Sequence, residues 1–303
     1  MPGPSLEDRI AGALLGLAAG DALGSTLEFM PAESVRSRFG THTELVGGGP
    51  FGWRSGQGTD DTDLAAAIVR AYLGGYSLAR VGEEFLAWYA SGPTDVGIAT
   101  GAALRHLRDH GDPRASGPAV WNDQAAGNGS LLRCLPTGLV RTDPASRRRE
   151  AAEISAVTHS DPRCVDACIA CCDLVARLLS GESAAAAVRA VAADESLKVG
   201  VRGALLDAAE ATADEIESPS TFVLDTLRAA VWALLLDATF EDALVAAVNL
   251  GGDADSVGAV AGGLLGARDG ARAIPARWLK KLEYRDRLAA AAPVLAALRG
   301  NDA

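Results

Sequence analysis

The stretch Glu7-Asp8-Arg9-Ile10-Ala11-Gly12-Ala13-Leu14-Leu15-Gly16-Leu17-Ala18-Ala19-Gly20-Asp21 decides how the rest of the chain is read. Ile10 to Gly20 is apolar enough to pass for the core of a secretory leader. A leader needs positive charge ahead of that core, however, and Glu7 and Asp8 stand there instead, while Asp21 closes the run early. Ile10, Ala13, Leu14 and Leu17 recur at the three-and-four spacing of an amphipathic helix, and Ser5 with Asp8 three residues on resembles a capping box. A helix within the folded protein is therefore expected here.

The same devices recur outward from this stretch. Thr239 and Asp242 repeat the cap before Leu244 to Leu250, and Asp143-Pro144 sets a cap and a first-turn proline before Ala145 to Val157. Val223, Leu227, Val231 and Leu234 form another stripe. Alternating runs rich in Val, Ile and Thr are missing, and no repeat of 20 to 50 residues is evident. The expected fold is all-α and forms one domain over residues 1–303, since no linker divides the chain. Glycine is abundant, 34 residues of 303 against an ordinary share of ~7%. Much of it falls between the predicted helices, at Gly47-Gly48-Gly49, Gly52, Gly56, Gly58, Gly127 and Gly129, so helices should form the body and glycine loops one face.

With 49% hydrophobic and 22% charged residues, the chain can bury a sizeable core. Its 39 acidic against 28 basic residues leave a net charge of −11, which disfavours non-specific binding to nucleic acid but not a phosphorylated small ligand held locally. Every apolar run is interrupted by Gly, Asp or Arg before the roughly 20 residues needed to span a bilayer, so no membrane insertion is expected. Of five cysteines, Cys164, Cys168, Cys171 and Cys172 crowd into one predicted helix. Ligands on one straight helix face cannot wrap a cation tetrahedrally, and small core-facing hydrophobes in a reducing cytoplasm are the better reading.

Two acidic stretches carry the chemistry: Gly58-Thr59-Asp60-Asp61-Thr62 and Gly251-Gly252-Asp253-Ala254-Asp255-Ser256. Each alone reads as a helix N-cap, in which side-chain oxygens take up free backbone N–H groups. As a pair, each followed by an apolar helical run (Leu64 to Leu73; Val257 to Leu265), they read as two halves of a metal site, because carboxylate and hydroxyl oxygens are the donors that Mg²⁺ and Mn²⁺ prefer. An EF-hand is excluded: counted from Asp253, Val257 takes the fifth place and Leu264 the closing acidic one.

Taken in order, Gly20-Asp21-Ala22-Leu23-Gly24 running into Leu27-Glu28-Phe29, Gly58-Thr59-Asp60-Asp61-Thr62, Thr94-Asp95-Val96-Gly97, Gly127-Asn128-Gly129-Ser130-Leu131-Leu132-Arg133, Thr158-His159 and Gly252-Asp253-Ala254-Asp255-Ser256 resemble the motifs of the ADP-ribosylglycohydrolase family, which includes the dinitrogenase-reductase-activating glycohydrolases. The resemblance runs over roughly residues 6 to 270. It implies a compact all-α fold, an orthogonal helical bundle, with a cleft holding two divalent cations, Mg²⁺ or Mn²⁺, between Thr59, Asp60 and Asp61 on one side and Asp253, Asp255 and Ser256 on the other. Ser256 stands where relatives often have threonine and keeps the coordinating oxygen. The implied activity is release of ADP-ribose from an ADP-ribosylated protein or a small conjugate. Arginine is the default acceptor by resemblance; serine, O-acetyl-ADP-ribose and nucleic-acid-base linkages are set by loops the motifs do not read.

Cleavage at an anomeric carbon passes through an oxocarbenium-like state, and two cations can hold the ribose hydroxyls and ready a water. Glu28 and Asp95 occupy the family's positions for the proton-transferring carboxylates, with acid and base unassigned. Each has a plain alternative, Glu28 as a solvated surface group and Asp95 as the cap of the helix carrying Ile98 to Leu107. Gly127-Asn128-Gly129-Ser130 opens into the apolar run Leu131 to Leu139 and reads either as a turn with Ser130 as cap or as a pyrophosphate cradle, which the resemblance favours. His159 is a helix-end histidine or a contact to ADP-ribose. A two-metal phosphoester hydrolase and an idle ADP-ribose-binding relative are the remaining alternatives.

Overall fold

The computed structural model describes residues 3–122 and 126–302. Their regular structure is helical: α1 (Leu6–Gly24), α2 (Ala32–Phe39), α3 (Asp60–Leu73), α4 (Leu78–Ala90), α5 (Ile98–His110), α6 (Pro113–Val120), α7 (Leu131–Val140), α8 (Pro144–Ala156), α9 (Pro162–Leu179), α10 (Ala184–Ala192), α11 (Val199–Glu210), α12 (Val223–Leu235), α13 (Phe240–Val248), α14 (Ala254–Asp269), α15 (Ala276–Leu279) and α16 (Arg285–Asn301). Among the described residues β pairing is confined to three isolated bridges. No helix there is long and apolar enough to cross a membrane.

The local signals for helix starts hold. Ser5 accepts the Asp8 N–H at 3.2 Å, Asp143 that of Ser146 at 2.8 Å and Thr239 that of Asp242 at 3.1 Å, each satisfying a donor that a first turn leaves free. The stripe Val223, Leu227, Val231 and Leu234 is fully buried on α12, and all five cysteines are free and buried.

α1 departs from the expected one-sided stripe, because it is buried all round from Gly12 to Gly24. A helix apolar on every face belongs inside the core, and α1 runs there antiparallel to α14. Gly12, Gly16, Gly20 and Gly24 face Gly266, Gly262, Gly258 and Ala254 in turn. A methyl on Gly16 would stand 2.2 Å from the Gly262 carbonyl oxygen, and one on Gly20 only 1.8 Å from that of Gly258. The two backbones touch with no side chain between them. α12 and α13 pack on α14, α16 packs on α1, and α3, α7 and α9 complete the core around the pair. Glycine therefore serves the helical body as well as the loops, where Gly47, Gly48 and Gly49 take positive φ.

Gly20→Ala is expected to cost about 1–3 kcal/mol or more, since the added methyl forces the helices apart. Gly203→Ala on α11, where nothing lies within 4 Å of the new methyl, should be neutral or gain up to ~1 kcal/mol. Denaturant unfolding of both variants checks this, and equal midpoints would show that α1 and α14 have room to spare.

Candidate functional site

The contact between α1 and α14 brings the last turn of one helix beside the first turn of the other. Asp21, near the C-terminus of α1, turns its Oδ2 to the start of α3 and accepts the Thr59 N–H at 2.9 Å, the Thr62 N–H at 3.0 Å and the Thr62 hydroxyl. It thus caps α3 from another helix. Thr59 caps the same helix locally, its Oγ1 accepting the Asp61 N–H at 3.2 Å. Burial pushes the Asp21 carboxyl up to about 6 against the pull of these hydrogen bonds.

Past Gly24 the chain turns and pairs with the loop before α14. The Phe29 N–H donates to the Gly252 carbonyl and the Gly252 N–H to that of Met30, both at 2.7 Å. Phe29 sits at φ 61°, a left-handed conformation uncommon outside glycine. The bridge holds Glu28 against Asp253 and Asp255, with one oxygen from each of the three within 4.8 Å of the others. Glu28 is only 6% exposed, so its reading as a solvated surface group is excluded.

The two acidic stretches meet directly: the Ser256 hydroxyl donates to Asp61 Oδ2 at 3.0 Å across 195 residues of sequence. Glu28, Asp60, Asp61, Asp95, Asp253, Asp255 and Ser256 share the wall of a cavity of about 690 Å³ with Gly127, Asn128, Gly129 and His159. Thr59 and Ser130 lie just behind that wall, both almost wholly buried.

The electrostatics describe a site short of positive charge. Burial, with Asp95 next in effect, raises both Glu28 and Asp60 to about 8. Burial and neighbouring carboxylates drive Asp61 and Asp255 well above the usual range, and burial raises Asp253 despite the hydrogen bond from Asn128. Among the described residues, Glu28 Oε2, Asp255 Oδ1 and Asp21 Oδ1 are buried without a hydrogen-bond partner. Hard oxygen donors, mutual repulsion and unused lone pairs together fit a divalent cation.

Asn128 ties the glycine loop to this cluster. Its Nδ2 donates to Asp253 Oδ2 and to Thr226 Oγ1 at 2.7 Å, while its backbone N–H reaches the Thr221 carbonyl at 3.0 Å. Ser130 does not cap α7 with its side chain; its Oγ accepts the Ser155 hydroxyl at 2.9 Å. His159 is buried beside the loop with its Nδ1 2.6 Å from Thr158 Oγ1. Burial, and then the Arg133 guanidinium, lower its imidazole to about 3, so the ring is neutral across the working range of pH.

Asp95 is not the cap of α5. Gly97 holds that place with no side-chain bond, which leaves the Asp95 carboxylate to the cleft, where burial raises it. The cap reading also fails for Asp253, whose side chain makes no cap bond to α14. Three contributors escaped assignment by sequence: Asp21, which lies in a quoted motif but gives no local sign of reaching α3; Thr100, on the cleft wall; and Arg133, hidden beneath it.

A model of the family described as ADP-ribosylglycohydrolase matches residues 2–303. An ADP-ribosyl-dinitrogen reductase glycohydrolase of Rhodospirillum rubrum is 34% identical over 296 residues, covering 94% of each chain. The ADP-ribosylarginine hydrolase Tri1 of Serratia proteamaculans is 35% identical over 294 residues, 93% of this chain and 77% of that protein. A solved structure titled ADP-ribosylglycohydrolase-related protein complex superposes with a TM-score of 0.86 at 33% identity, covering 97% of this chain and 99% of its own.

The raised carboxyls fix a pH dependence. Because they keep their protons to higher pH when folded, the folded state binds more protons than the unfolded one between the ordinary carboxyl range and about 8, and stability falls as pH rises through that window. Metal-free protein should melt lower at about pH 8 than at about pH 5, with added Mg²⁺ or Mn²⁺ raising Tm most at the higher pH. Asp255→Asn should raise the metal-free Tm at about pH 8 and weaken the response to cation. Thermal melts at the two pH values check both outcomes.

Proposed function

The chain belongs to the ADP-ribosylglycohydrolase family and is an enzyme of that kind, and on that premise we propose that it uses divalent cations to release ADP-ribose from the arginine side chains of modified proteins. One observation carries the reading: the Asp61–Ser256 hydrogen bond joins the two acidic stretches at the cleft wall, beside the Glu28, Asp253 and Asp255 cluster. Thr59, Asp60 and Asp61 would hold cation from one side and Asp253, Asp255 and Ser256 from the other. Mg²⁺ or Mn²⁺ bound there would supply the positive charge that fixes ribose hydroxyls and readies a water.

The chain's own groups do the rest. Glu28 and Asp95 are the carboxylates placed to carry a proton to the leaving nitrogen or away from the water. Whichever of the two is ionised also favours the oxocarbenium-like state at the anomeric carbon. Gly127, Asn128, Gly129 and Ser130 form the pyrophosphate cradle at the start of α7, with His159 as a neutral donor beside it. Two features favour arginine as the acceptor. The Tri1 relative is named as an ADP-ribosylarginine hydrolase. A second hollow of about 250 Å³ shares Asp60 and Asp95 with the cleft and is lined by Trp53, Asp63, Glu283 and Tyr284, an acidic and aromatic setting that suits a guanidinium. Five free, buried thiols suit a reducing cytoplasm as the working compartment.

Chelation should abolish turnover and Mg²⁺ or Mn²⁺ restore it; full activity in verified metal-free protein would rule out the cation assignment. Glu28→Gln should lower kcat by roughly 10²–10⁴ with little loss of ADP-ribose binding, and Asp95→Asn should lower kcat without the ~1 kcal/mol stability loss of a removed cap. A panel of ADP-ribose conjugates tests the acceptor: intact ADP-ribose should be released fastest from arginine. AMP or phosphate as product would favour phosphoester hydrolysis, and a faster serine or acetyl ester would overturn the acceptor.

A further inference from the structure

The geometry points to Arg133 and Thr158 as positioning residues that hold His159 in the one tautomer able to donate a hydrogen bond from Nε2 into the cleft. The identity of the recipient, the diphosphate of ADP-ribose, rests on the function proposed above; the tautomer does not. Arg133, on α7, is fully buried and lies over the Phe85 ring at 5.0 Å. Its Nη1 donates to the Gly129 carbonyl at 2.9 Å and its Nη2 to Thr158 Oγ1. A guanidinium has no acceptor, so the direction of the second bond is fixed.

Thr158 Oγ1 has one hydrogen, and among the described residues its remaining partner is His159 Nδ1 at 2.6 Å. The hydroxyl accepts from Arg133, so its hydrogen goes to Nδ1. The reverse arrangement would leave a hydroxyl hydrogen without an acceptor on a residue only 3% exposed. Nδ1 is then the acceptor, and the proton of the neutral ring sits on Nε2. That nitrogen faces the glycine loop. A methyl built on Gly127 or Gly129 would stand 3.4 Å from it, and both glycines line the cleft with His159. The bare backbone leaves the Nε2–H open to an anionic oxygen. An Nε2 lone pair in the same place would repel one.

Arg133 acts at a distance as well. It makes no ion pair with any carboxylate among the described residues, so its charge stands uncompensated by direct contact behind the loop that receives the anion. It also helps keep His159 neutral. The loop thus offers an anion a donor that cannot titrate away, backed by a charge that never reaches the substrate.

Nitrogen-15 histidine spectra of the ligand-free protein decide the tautomer. With four histidines in the chain, His159→Gln identifies the signal. The wild type should show the Nε2–H form, unchanged between about pH 5 and about pH 8. Thr158→Val should give mixed tautomers and weaken ADP-ribose binding in calorimetry by about tenfold or more, and Thr158→Ser should restore both. An Nδ1–H or averaged ring in the wild type overturns the proposal even if Thr158→Val fails to fold. So does wild-type affinity in a folded Thr158→Val. A wild type that binds no ADP-ribose would sink the assigned ligand and the proposed function, while the ligand-free spectrum still decides the tautomer.

Discussion

Two helix backbones in contact, α1 against α14, set the position of nearly everything else. Each glycine inside a helix costs roughly 1 kcal/mol relative to alanine, and this pair carries a row of them on both faces. The loss is offset because bare backbones approach until carbonyl oxygens meet α-carbons, a distance no side chain permits. The approach leaves no freedom to slide, since every fourth residue interlocks with its counterpart. The last turn of α1 and the first of α14 are thereby fixed side by side, and both carry carboxylates.

The cleft follows as a set of cross-braces on that contact. Asp21 takes up the free N–H groups of α3, which sets Asp60 and Asp61 at the cavity wall. The pair of hydrogen bonds between the Phe29–Met30 segment and Gly252 places Glu28. Asn128 spans from the glycine loop to Asp253. Buried carboxylates this close repel one another and lose their hydration when ionised, so the protein holds them together with hydrogen bonds and packing, and among the described residues no ion pair reaches them. Function thus draws on stability supplied by the helical core.

Much of this was legible in the sequence, and the reason is local chemistry. Ser5, Asp143 and Thr239 announce helix starts because a cap is a contact over three residues. The apolar stripe of α12 shows in its spacing. The acidic stretches stand out because paired carboxylates with hydroxyls and glycine are an unusual local composition. What stayed hidden depends on long-range contact. The glycines of α1 look like weak points in a one-sided helix until α14 is beside them. Asp95 could not be assigned between cap and cleft because the two differ by where α5 begins, which Gly97 decides. Ser130 looked like a cap and turned out to bond to Ser155, a partner on another helix. Arg133 closes one of the quoted motifs but gave no sign of its role, because a buried arginine beneath a loop differs from a solvated one only in the fold around it.

The antiparallel glycine contact also has a consequence for how the chain is made. α1 is synthesised roughly 240 residues ahead of its partner surface, so over that stretch of translation the bare face of α1 has nothing to close against. Contacts this distant in sequence slow folding, because a long loop must close before they form. The acidic centre shares that delay, since Glu28 and Asp61 wait for Gly252 and Ser256. A chain that has not yet reached Gly252 and Ser256 therefore carries one half of each acidic pairing without the other, and the centre closes only once α14 has been made.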